Sequence, residues 1–235
     1  MPWVATTTED AGAGWQPAPE LLEVLAASQQ VGAIGPGPLA GHVAHAAGFL
    51  EAANAAALDH DGVPLPPRLR VLDLGSGGGL PGLVLGALLP KARCTLLDGR
   101  TERVRLLSEH LTRLGWVGRV EACACRAEQA GRDERHRGAY DLVVARGFAG
   151  PAVTAECGAP FLRPGGLLVV SEPPGAPPRW PREELSLLSL QPLGGLRTVL
   201  SAGASGAGYQ VLLQVETCAE RFPRRTGIPA KRPLF

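Results

Sequence analysis

Aromatic side chains are scarce, 5% of the 235 residues, so the core must be built from Leu, Val and Ala. No apolar run of about 18 residues free of charges and breakers occurs, and no membrane-spanning helix is expected. The segment Met1 to Glu20 has no Lys or Arg and no apolar stretch, which excludes a secretory signal. The five cysteines (Cys94, Cys123, Cys125, Cys157 and Cys218) are odd in number and contain no C-x-x-C pair. A disulfide framework or zinc site is therefore not expected, and buried thiols in a reducing cytoplasm are. The five histidines show no metal-ligand spacing; His42 and His45 stand three apart but lack a third ligand. Cations are missing from residues 1–67, which hold seven acids and no Lys or Arg. The total charge of +1 thus averages an acidic N-terminal region with a basic remainder. It does not exclude a nucleic-acid partner for the latter.

Apolar residues make up 45% of the chain, enough for one domain with an extension. Residues 1–16 are polar, small and Gly-rich, and are expected to be disordered. A helical region and linker span 17–67, with helices over about 17–31 and 39–58 and a breaker run between them. From residue 68 to 218 strand and helix signals alternate. Strands are expected at 69–74, 93–98, 120–125, 140–145, 167–171, 196–201 and 209–216, and helices at 80–90 and 101–115. That alternation indicates an α/β fold, a mostly parallel seven-stranded sheet covered by helices on both faces. Residues 219–235 form a basic, Pro-rich tail.

The most informative stretch is VLDLGSGGGLPG, Val71 to Gly82, in which a strand delivers the chain to a glycine loop and a helix follows. Glycines allow positive φ and let a ligand approach the backbone. In an open parallel sheet such a loop lies at the strand C-termini, where ligands bind. Gly77, Gly79 and Gly82 satisfy the dinucleotide spacing G-x-G-x-x-G, but Asp73 two residues before Gly75 makes D-x-G-x-G-x-G. That arrangement resembles the first motif of class I methyltransferases, which implies S-adenosylmethionine, with the acid receiving the methionine ammonium directly or through water. Asp98 ends the second strand. There it can accept hydrogen bonds from both ribose hydroxyls, or merely open the next helix. YDLVVA and LRPGGLLVV resemble the fourth and fifth strands of the same Rossmann-like fold.

DLGSGGGLPG, Ala127-Glu128 in CRAEQ, Ala145-Arg146 in VVARGFA and the ending RFPRRTGIPAKRPLF together resemble the RsmG (GidB) family. VGAIGP and His45 look like the N-terminal region of its actinobacterial-type members. The resemblance implies a cytoplasmic enzyme methylating N7 of a guanosine in 16S ribosomal RNA. It implies the small ribosomal subunit or its RNA as partner, S-adenosylmethionine as cofactor and no metal, and we expect a monomer. Carried over, Gly75, Ser76, Gly77, Gly79 and Leu80 line the cofactor pocket, and Ala127 and Glu128 flank the adenine. Arg146 lies at the mouth as the candidate catalytic residue, unless it is a surface ion-pair partner. Guanine N7 already carries an in-plane lone pair, so methyl transfer needs alignment rather than a base. Arg221, Arg224, Arg225, Lys231 and Arg232 are candidate RNA contacts on a tail that prolines keep extended, or the tail simply packs along the domain. At helical spacing, some of Arg100, Arg103 and Arg105 are expected only to solvate a face.

Three departures stand out. A Trp-Asn…Asn-Leu-Thr stretch common in the family is missing, and Gly48 replaces its Asp or Asn after the histidine. Glu172-Pro173 replaces its Lys-Gly, an acid expected to weaken binding of a phosphate-rich substrate. They keep open a small-molecule methyltransferase on the same fold, or a non-catalytic cofactor-binding, ribosome-associated protein. A nicotinamide oxidoreductase is a more distant alternative.

Overall fold

A computed structural model of the chain describes residues 15–173, 176–199 and 207–235. The expectation for residues 1–16 falls, up to residue 14, outside the described residues. Pro at the first position opens α1 (Pro19–Gln30), and α2 (Leu39–Asp61) stops where Gly62 turns left-handed at φ 72°. The alternating part then runs β1 (Arg70–Leu74), α3 (Gly82–Leu88), β2 (Arg93–Asp98), α4 (Thr101–Arg113), β3 (Val120–Ala124) and α5 (Ala127–Ala130). It continues as β4 (Tyr140–Ala145), α6 (Pro151–Gly158), β5 (Leu162–Glu172) and α7 (Arg182–Ser186). Three antiparallel strands, β6 (Leu190–Pro192), β7 (Arg197–Val199) and β8 (Ala207–Gln214), and a short α8 (Ile228–Lys231) complete it.

The sheet order is β3-β2-β1-β4-β5-β8-β6, with β7 also on β8. The five strands from β3 to β5 are parallel, and β8 runs antiparallel to β5. The sheet has seven positions but eight strands. Its outer position is split because β6 and β7 pair with opposite ends of β8 across a turn at Gly194, φ 77°. Strand alternation divides the apolar residues into two cores. Val71, Leu96, Val144, Val169 and Val211 meet α1 to α4 on one face. Leu72, Leu97, Val143, Leu168 and Leu212 meet Phe161 and the tail side on the other. The N-terminal helices are docked as part of the first core, through Leu21, Val24, Leu25 and Phe49. A buried Ser28–His110 hydrogen bond of 2.9 Å and a Glu23–Arg113 ion pair tie α1 to α4.

Candidate functional site

At the C-terminal end of β1 the chain enters the glycine loop, where Gly75, Gly77 and Gly79 have φ of 79°, 55° and 101°. L-residues rarely adopt such angles. The Gly75 and Ser76 N–H groups donate to the Leu97 carbonyl, fixing the loop against β2. Asp73 points beneath it. Its Oδ2 accepts the Gly82 N–H at 2.9 Å, and Gly82 must be glycine because a Cβ would come 2.6 Å from that oxygen. Asp73 Oδ1 is buried without a partner. Burial, opposed by the Gly82 hydrogen bond, raises the Asp73 pKa to about 7. Ser76 lines the same loop, and its hydroxyl donates to the Asp73 carbonyl at 3.1 Å.

Asp98 sits at the end of β2, 5% exposed. Its side chain does not cap α4, whose N-cap is Arg100 without a side-chain cap bond, but it accepts two backbone N–H groups. Oδ1 accepts the Arg100 N–H at the mouth of α4, and Oδ2 accepts the Gly77 N–H, each at 2.9 Å. The carboxylate thus braces the loop, and each oxygen keeps a second lone pair for a hydroxyl donor. Arg103 lies 3.5 Å from Oδ2, so this arginine turns inward rather than solvating a face. A cavity of about 230 Å³ opens above, lined by Gly75, Ser76, Gly77, Leu80, Arg103 and Arg146 and roofed by Ala33 to Gly35. The N-terminal region therefore walls the site directly. A Cβ on Gly78 would come 2.6 Å from Ile34 Cγ1 and 2.9 Å from the Ala33 carbonyl carbon.

Arg146 follows β4 and forms no ion pair among the described residues, which removes the surface-pair alternative. One NH2 group donates to His42 Nδ1 at 2.8 Å, and NH1 is buried without a partner. A guanidinium can only donate, so His42 Nδ1 is the acceptor and its proton rests on Nε2. That nitrogen faces the carbonyls of Gly35 at 3.1 Å and Pro36 at 3.2 Å. The chain Arg146–His42–Gly35/Pro36 ties the mouth to its roof. His45 lies deeper against Phe49 and Tyr209, and burial, then Arg146, lowers its pKa to about 4. Tyr209 donates to the His45 carbonyl at 2.6 Å, in space that a Cβ on Gly48 would fill. Gly48 is thus the complement of Tyr209.

Ala127 is buried at the start of α5. The Glu128 side chain is turned to the tail, where it accepts the Gly227 N–H at 2.9 Å. The tail is not extended. It turns at Gly227, φ 80°, into α8 and packs on α5 and α6. Arg224 is the anchor and not an exposed RNA contact. Its backbone N–H, Nε and NH2 reach the fully buried Glu156 carboxylate at 2.8, 2.8 and 2.6 Å. Arg137 adds bonds to the carbonyls of Cys218, Ala219 and Phe222. Arg221, Arg225, Lys231 and Arg232 are exposed and form no ion pair among the described residues. Arg221 lies over the Phe222 ring.

Glu172 is not a free acid. It is 6% exposed and neutralised by Arg179 Nε at 2.8 Å, while the Trp180 indole N–H donates to its other oxygen at 3.0 Å. Sequence reasoning missed the roles of His42, of the Ala33–Gly35 roof and of Phe148, which covers Gly75. Only the VGAIGP run hinted at the roof.

The GidB family, rRNA small subunit methyltransferase G, matches residues 52–172. Ribosomal RNA small subunit methyltransferase G of Moorella thermoacetica is 34% identical over 177 residues, 72% of this chain and 71% of that protein. The protein of the same name from Prochlorococcus marinus is 37% identical over 171 residues, 72% and 68% of the two chains. Among solved structures, the O-methyltransferase TomG from Streptomyces achromogenes superposes with a TM-score of 0.55 at 16% identity, covering 86% of this chain and 91% of its own. At that identity the likeness concerns the fold alone. With half of its length matched by the family and relatives above 30% identity, the chain belongs to the rRNA small subunit methyltransferase G (GidB) family.

Proposed function

We propose that this chain is an S-adenosylmethionine-dependent methyltransferase of small-subunit ribosomal RNA, acting on guanine N7. The observation that carries the reading is Asp73 Oδ1. It is a buried acid oxygen without a partner beneath a glycine loop, where a ligand ammonium would complete it. The residues fit the cofactor. Asp73 takes the ammonium, Gly75 to Gly79 and Leu80 cradle the chain, the free lone pairs of Asp98 take the ribose hydroxyls, and Ala127 presents main chain to the adenine. Residues 68–218 form the cofactor domain in this reading. When bound, S-adenosylmethionine supplies an electrophilic methyl group on a sulfonium.

The surroundings suit an acceptor that has its own lone pair. Both ring nitrogens of His42 are engaged, and both Asp98 oxygens already accept N–H bonds. Neither stands ready as a general base, and guanine N7 requires none. Arg146 lines the cavity and its NH1 is buried and unpartnered; in this reading it is the donor that holds the guanine or its phosphate in line with the methyl. The exposed tail cations Arg221, Arg225, Lys231 and Arg232 offer contacts to the RNA backbone. The paired state of Glu172 removes one of the two arguments for a small-molecule substrate, the other being the altered N-terminal region.

Incubation with labelled S-adenosylmethionine and undermethylated small-subunit RNA should yield labelled 7-methylguanosine after nuclease digestion. Label on another base or position would overturn the N7 assignment. Label on small metabolites and none on RNA would overturn the substrate class.

A further inference from the structure

A second groove, of about 460 Å³, belongs to none of the cofactor motifs. It is lined by Pro151 at the start of α6, by Pro178, Arg179, Trp180 and Pro181, and by Phe235. Its base is built rather than incidental. The buried Glu172 carboxylate at the end of β5 holds the Trp180 indole N–H on one oxygen and the Arg179 guanidinium on the other. One acid therefore fixes an aromatic face and a cation side by side, with the Arg179 side chain still 44% exposed. Phe235 is carried by the tail, three residues beyond the exposed Arg232 and anchored through Arg224 to Glu156. The acids Glu183 and Glu184 of α7 do not line the groove. Gly147 lines the cofactor cavity and Pro151 the groove, so the four chain steps between them hold the two within about 14 Å.

We infer that this groove holds an unpaired base next to the methylated guanosine, stacked on Trp180 and Phe235, with its phosphate met by Arg179. The inference rests on the reading of the protein as an RNA methyltransferase. A nucleotide drawn into an enzyme leaves its neighbours unstacked, and an aromatic face beside a cation accepts any base. It gives the Glu172 departure a purpose: the acid trades a direct phosphate contact for a fixed Trp–Arg pair. A purely apolar partner would have no use for the guanidinium, whereas an RNA strand uses both groups.

The test compares wild type with Trp180→Ala, Trp180→Phe and Phe235→Ala. It measures KM and kcat on undermethylated small-subunit RNA, and S-adenosylhomocysteine affinity by calorimetry. Trp180→Ala should raise KM for RNA by about 5- to 100-fold, the loss of one stacked base, with kcat and cofactor affinity unchanged. Phe235→Ala should act in the same direction and Trp180→Phe should restore most of the loss. Unchanged KM in Trp180→Ala, with wild type active on RNA, would overturn this inference and leave the function standing. So would a loss of cofactor affinity, which would make Trp180 structural. A dimer seen in sedimentation that Trp180→Ala abolishes while KM stays unchanged would assign the groove to a second copy of the chain and overturn it as well. A wild-type protein that labels no RNA would remove the function and this inference together.

Discussion

Two extensions pack on opposite faces of the sheet, and they do so with opposite chemistry. The N-terminal region brings no Lys or Arg. It walls the glycine loop with Ala33 and Ile34 and braces Arg146 with a neutral His42. The tail brings five cations, yet it attaches by spending one of them inward, on Glu156, and by offering a backbone N–H to Glu128. One extension shapes and positions; the other anchors itself and leaves its remaining charge for solvent. Burial decides which role a residue takes. Arg224 and Arg225 are neighbours of one type, but the first is held against a fully buried carboxylate and the second is exposed.

The largest expected effect separates that pair. Arg224→Ala would strand the Glu156 charge in the interior and should cost about 3–5 kcal/mol in urea unfolding. Arg225→Ala should stay within about 0.5 kcal/mol. Equal losses for the two would mean that the tail is not pinned through Glu156, and the contrast between an anchoring and a free arginine would fall.

Next comes Asp73, which belongs to neither extension but which only a closed site explains. Asp73→Asn keeps an acceptor for Gly82 and removes the charge, so S-adenosylhomocysteine affinity should fall by about 10- to 150-fold. The pH dependence follows from its pKa, raised to about 7 by burial. An acid held above its unfolded value binds protons more tightly when folded. The ligand-free protein should therefore lose stability as pH rises from about 4 to about 7, and Asp73→Asn should lack that slope. Cofactor affinity should run the other way, rising roughly tenfold from about pH 6 to about pH 8, because an ammonium prefers the ionised acid. Calorimetry in the two buffers reads both signs.

On the N-terminal side, His42→Ala leaves the Arg146 NH2 group without its acceptor. An unsatisfied partly buried donor costs about 1–3 kcal/mol, so kcat/KM on RNA should drop by about 5- to 150-fold while the fold persists. An unchanged kcat/KM would reduce the N-terminal region to a passive wall.

The glycine loop was legible in the sequence because its signals are local: a short apolar strand, then glycines at positions of positive φ, then a helix. Asp73 and Asp98 were legible for the same reason, each standing at the end of a strand, whereas Ala127 and Arg146 came only with the family resemblance. The roof was not. Ile34 meets Gly78 across 44 positions of chain, and nothing in either segment announces the other. His42 read only as half of a deficient metal pair, since its acceptor role exists through Arg146. Of the split outer strand, β7 lies within the strand expected at 196–201, whereas β6 was hidden because three residues are too short for a period. Glu172 read as a repulsive acid because its partners, Arg179 and Trp180, lie beyond an irregular segment that gives no spacing rule.

The smallest expected effects lie on the outer face of the tail, and they sharpen the comparison most finely. If Arg225, Lys231 and Arg232 meet phosphates, each Ala substitution should lower the slope of log affinity against log salt by roughly 0.7–0.9 and weaken binding only a few-fold. The loss should be uniform across RNA sequences, because a phosphate contact reads no base. Arg224→Ala, in a background stable enough to measure, should instead shift affinity through the displaced tail, without the one-charge change in slope. Salt titrations on the single variants thus distinguish a cation that touches RNA from one that holds the tail in place. An identical slope change for all four would erase the distinction between the anchored and the exposed face.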